Sequence, residues 1–202
     1  MVQEIIQTIV DSMPLVLERT IEIAKSPIIN TEMIWLLAPL IITLLAMEFY
    51  FGRYKDEELG WNSAYGNALV LVFVSASLAK HIYMNELYFS LVKLSAVAVV
   101  IFMGLELMFI DFFHILPKKI AFNISSKVPI NFLAFVAIVL VYTELPLDNI
   151  TLIAFVVLLL LLLMFIGLIH ALIPKVRTKF LPHAPVPTKK EKVIAPKYDE
   201  TT

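Results

Sequence analysis

Residues 89–114 read FSLVKLSAVAVVIFMGLELMFIDFFH. The stretch is long enough to cross the ~30 Å hydrocarbon core of a bilayer as one helix. It also carries Lys93, Glu106, Asp111 and His114. A charge at the centre of a membrane helix costs at least ~2.5–3.5 kcal/mol, so such residues are expected to have partners or a task. This segment decides the fold class, because it is a span that has kept its ionisable groups.

Four further segments reach spanning length. The expected spans are 32–51, 64–83, 88–110, 128–145 and 150–173. Trp35, Tyr50 and Tyr54 mark the ends of the first, where interfacial aromatics collect. Asn30 or Thr31 is its expected cap. Residues 120–127 read as an interfacial lead-in to the fourth span, and the run Leu158–Leu163 reads as lipid-facing. The 202-residue chain is 60% hydrophobic with a mean hydropathy of +0.87, above the ordinary soluble range. The expected fold class is therefore all-α, a polytopic membrane helical bundle of about five transmembrane helices.

Residues 1–31 form a separate segment with helical periodicity. Ile5, Ile6, Ile9, Val10, Met13, Leu17, Ile21 and Ala24 share one face, and Glu4, Gln7, Asp11, Glu18, Glu22 and Lys25 share another. An amphipathic helix is expected there, broken or restarted at Pro14 and packed on its own bundle. Its start has no basic region and does not resemble a signal peptide. The spans occupy 32–174. Residues 175–202, with four prolines and several lysines, read as a flexible basic tail.

Basic residues set the expected orientation. Arg53, Lys118, Lys119, Lys127, Lys175 and Arg177 would share one side, against Arg19, Lys25 and Lys80 on the other. That places the N-terminus outside and the C-terminus in the cytoplasm, in a plasma membrane. A formal net charge of −1 gives no reason to expect nucleic acid.

Each span holds one polar residue in the half expected to face the cytoplasm: Glu48, Asn67, Glu106, Asn131 and His170. They form a candidate intramembrane polar cluster. Two readings follow: a pocket for a proton, cation or small ligand, or interhelical hydrogen bonds that fix the bundle. Glu106 is expected to face the bundle beside one of the others. Lys93 is expected to snorkel to the outer boundary. Asp111 and His114, three residues apart, are a possible boundary site or an interfacial polar collar. With Glu48 or His170 they would also suit a mixed nitrogen and oxygen metal site.

The chain has no cysteine and therefore no thiolate metal site. It contains no HExxH, GxSxG or Walker A motif. No cofactor and no bound metal are expected. The preferred reading is a non-enzymatic accessory or scaffold subunit of a membrane assembly. Its partners would be the lipid bilayer and other membrane subunits or further copies of the chain. The alternatives are an oligomeric ion or proton pathway using the intramembrane carboxylates and, more weakly, a metal-dependent membrane enzyme.

Overall fold

The computed structural model describes residues 2–54 and 60–174, with side chains from residue 12 onward except Tyr88. The basic tail and Met1 lie outside the described residues. The helices are α1 (Val2–Ile29), α2 (Thr31–Arg53), α3 (Trp61–Met84), α4 (Leu91–Phe113), α5 (Lys118–Ile124), α6 (Lys127–Tyr142) and α7 (Asn149–Leu172). One 3-10 turn, Leu87–Phe89, precedes α4. No strand occurs among the described residues.

Five segments are long and apolar enough to span a membrane: α2, α3, α4, α7, and α5 with α6 taken together. The fold is thus the expected helical bundle. The caps follow the sequence. Asn30 Oδ1 accepts from the Glu32 amide at 3.1 Å and starts α2, and Ser90 starts α4. His114 ends α4 in the left-handed region, with φ 52°, a place more often held by glycine.

The fourth span is two helices with a cause for the break. Pro129 has no N–H to offer the carbonyl four residues back, that of Ser125, and its ring crowds that carbonyl. Proline is tolerated in the first turn of a new helix, so α6 restarts with Ser126 as its N-cap residue. The orphaned Ser125 carbonyl is taken by the Asn67 side-chain amide at 2.8 Å.

α6 is the centre of the bundle. It packs on α1, α2, α3 and α4, while α3 lies against α4 and α7 lies against α1 and α2. The tightest of these contacts is between α3 and α4. A Cβ on Gly104 would stand 2.9 Å from the Leu71 Cβ and 3.3 Å from the Val72 backbone nitrogen. Gly104 therefore lets two backbones approach, as small residues do between membrane helices.

α1 differs from expectation in two ways. It continues through Pro14 without a break, and Pro27 also lies within it. Pro27 leaves the Ile23 carbonyl without its helical donor, and the Ser26 hydroxyl donates to that carbonyl at 2.8 Å. The face turned to the bundle holds Thr20, Ile23 and Ser26, whereas Met13, Leu17 and Ile21 are exposed. The apolar stripe thus points outward.

Candidate functional site at the two ends of the bundle

One end of the bundle gathers the end of α2, the start of α3, the ends of α4 and α7, and α5. Here His170 Nε2 lies 3.0 Å from Glu48 Oε2 and 3.2 Å from the Glu48 carbonyl oxygen. Glu48 is buried. Gly52, one turn further along α2, makes room: a Cβ there would stand 3.0 Å from His170 Cδ2 and 2.9 Å from Ile173 Cδ1. The pair ties α2 to α7.

Asn67 ties α3 to the α5–α6 junction through the Ser125 carbonyl. Asn131 ties α6 to α2, donating from Nδ2 to the Leu40 carbonyl at 3.2 Å. Of the five residues expected to cluster, the structure joins Glu48 and His170 and gives Asn67 and Asn131 separate partners. Glu106 stands apart. It is exposed on the outer face of α4, between Phe102 and Phe109, which are also exposed. The expectation that it faces the bundle is not met. The face of α4 turned to α3 and α6 is that of Lys93, Val100, Gly104 and Asp111, and Glu106 lies off it.

Asp111 is fully buried. Neither of its carboxylate oxygens has a hydrogen-bond partner, nor does the buried Ser125 hydroxyl. The same end of the bundle carries an aromatic group. Trp61 stacks on His114 at 4.2 Å and meets the edge of Phe122 at 5.0 Å. His114 is thus engaged with Trp61. Among the described residues no three of His, Asp or Glu converge as metal ligands.

The opposite end carries the ion pairs. Lys93 Nζ meets Glu144 Oε1 at 2.6 Å. Lys93 is buried while Glu144 is exposed, so the lysine does reach outward, and an acid in the α6–α7 link receives it. His81 stacks on Tyr142 at 3.8 Å with Nδ1 3.5 Å from Glu32 Oε2. Arg19 donates to the Thr151 hydroxyl at 3.0 Å and joins α1 to α7. Asp148 caps α7, accepting from the Thr151 amide at 2.7 Å. That hydrogen bond holds the Asp148 carboxyl below the usual carboxylate range.

Sequence reasoning missed this network, because its partners meet only across elements: Arg19 with Thr151, Glu32 with His81, and Lys93 with Glu144. Their signal was position: Glu32, Glu144 and Asp148 each sit at or next to the end of a span, whereas Arg19 lies inside α1. Pro129 was the readable signal for the partner of Asn67.

The fold and these contacts define an integral membrane helical bundle whose inward polar groups mostly act as ties between helices. No family model matches the chain, and neither a curated protein nor a solved structure shows significant similarity to it.

Proposed function

We propose that this protein is a non-enzymatic subunit of a larger membrane assembly, and that the outer face of α4 receives another chain. The observation that carries the reading is the position of Glu106. It stands seven residues before the end of α4, or ~10 Å along the helix axis, exposed and without an ion-pair or hydrogen-bond partner among the described residues. A carboxyl at that depth in contact with lipid is costly. A neighbouring span bearing a lysine, an arginine or a hydrogen-bond donor at the same depth would remove the cost. Phe102, Phe109 and Phe113, all exposed on the same side, would flank the contact.

A second copy is a poorer fit. Two-fold packing through this face sets one Glu106 against another and supplies no base. The expected setting is a plasma membrane, with the C-terminus in the cytoplasm. A proton or ion route within one chain would have to link Glu48, Glu106 and Asp111. Glu48 stands between α2 and α7, Glu106 on the outer face of α4, and Asp111 on its buried face.

The test is purification from the native membrane in mild detergent, with a photo-crosslinker at Phe109. Support requires a stoichiometric partner, crosslinked through a span with a base or donor, retained in Glu106→Gln and lost in Glu106→Leu. The proposal fails if the chain runs alone at its 22.9 kDa mass, or if its complex survives Glu106→Leu unchanged. Proton flux by the reconstituted chain alone, abolished in Glu106→Gln, would overturn it in favour of a pathway.

A further inference from the structure

α2 and α3 both lean on α6 yet hardly touch each other. At the Glu144 end the gap between them opens into a cleft of about 650 Å³, lined by Glu32, Trp35, Lys80, His81, Asn85 and Tyr142 among others. From this cleft we infer a binding site for one phospholipid with a zwitterionic, primary-ammonium headgroup.

The cleft is amphipathic along the membrane normal. Glu32 is in the first turn of α2, and Lys80 and His81 are in the last turns of α3, so its polar part lies at headgroup level. Leu36 and Ser77, each about one turn deeper, lead from it into the gap between the helices. A lipid would place its headgroup above and a chain below, filling space that neither helix fills.

Charge selects the headgroup. The lining holds one carboxylate, Glu32, and one ammonium, Lys80, so the matching ligand carries one positive and one negative group. Lys80 faces the phosphate. Asn85 Nδ2 lies 3.3 Å from His81 Nδ1. When the amide donates to this nitrogen, the ring hydrogen is on Nε2, a donor for the phosphate and not for Glu32. Glu32, whose Oε2 is 3.5 Å from His81 Nδ1 and whose side chain is largely exposed, has its other carboxylate oxygen to accept from the ligand ammonium. The Trp35 ring, 83% exposed at the cleft wall, offers a face for the same cation. A choline headgroup has no N–H for Glu32. A purely anionic headgroup leaves Glu32 unmatched. Neither Lys93 nor Arg19 lines the cleft, and both already have partners.

Native mass spectrometry of the full chain tests the site. The delipidated protein is offered equal amounts of phosphatidylethanolamine, phosphatidylcholine and phosphatidylglycerol. The expected result is several-fold preferential retention of phosphatidylethanolamine, with a matching rise in melting temperature. In Glu32→Gln and Lys80→Gln, both at exposed positions, the preference falls to the level of the other two lipids, and the lipid-free melting temperature of Lys80→Gln is unchanged. Equal retention of all three by the wild type would mean annular lipid only and would overturn the site. So would a preference for phosphatidylglycerol, or a preference that survives in both variants.

Discussion

His170 Nε2 faces two acceptors of one residue, Glu48 Oε2 at 3.0 Å and the Glu48 carbonyl oxygen at 3.2 Å. A carbonyl cannot donate, so Nε2 carries the hydrogen and the ring bridges α7 to both the side chain and the backbone of α2. His170→Leu leaves the buried Glu48 carboxyl without this donor and is expected to cost about 1–3 kcal/mol. Glu48→Gln keeps an acceptor in place and is expected to cost less. Thermal unfolding in detergent ranks the two, and the reverse order would refute the assignment of Nε2 as donor.

Gly104 and Gly66 make a matched pair. Gly104→Ala sets a methyl 2.9 Å from the Leu71 Cβ and close to the Val72 backbone, and neither can swing aside. The expected loss is about 1–3 kcal/mol. Gly66, also helical, has nothing within 4 Å of a built Cβ. Gly66→Ala is expected to be neutral or to stabilise α3 by up to ~1 kcal/mol. Equal effects in the two variants would show that α3 and α4 do not meet at Gly104.

The buried end of the Lys93–Glu144 pair is the lysine. Removing the acid leaves a buried ammonium, whereas removing the lysine leaves an acid in water. Glu144→Gln is therefore expected to destabilise by about 1 kcal/mol, a figure reduced for the exposure of Glu144. Lys93→Met is expected to be nearly silent. A double-mutant cycle on melting free energies measures the coupling, and a value near zero would refute the pairing.

Asp111 buries two oxygens without a donor. Asp111→Asn keeps the shape of the side chain and removes the ionisable group, and with it the cost of desolvating a carboxylate. The expected change is a gain in stability. A fall in melting temperature would instead show that the carboxyl is satisfied by a group outside the chain.

Asp148 gives a pH dependence with a definite sign. The Thr151 amide lowers its folded pKa, so the cap stabilises the fold fully above the unfolded carboxylate pKa of about 3.9. That contribution is lost as pH falls through the lower, folded value. Asp148→Ala is expected to melt below the wild type at pH 7, with the gap closing below about pH 4. A gap that is constant with pH would show that the cap is not ionised.

Much of the fold was legible in the chain itself. Long apolar runs named the five spans, and Asn30 marked the start of α2. These follow from local rules: bilayer thickness sets length, and orphan amides need a cap. The tertiary structure decided which face looks inward and which residues meet. In water an apolar stripe marks the buried side of a helix, but in lipid both sides of a span read as apolar. Hydropathy therefore could not tell that Glu106 faces out. Nor could spacing join Lys93 to Glu144 or Glu48 to His170. Such pairs form across helices that only the packing around α6 brings together.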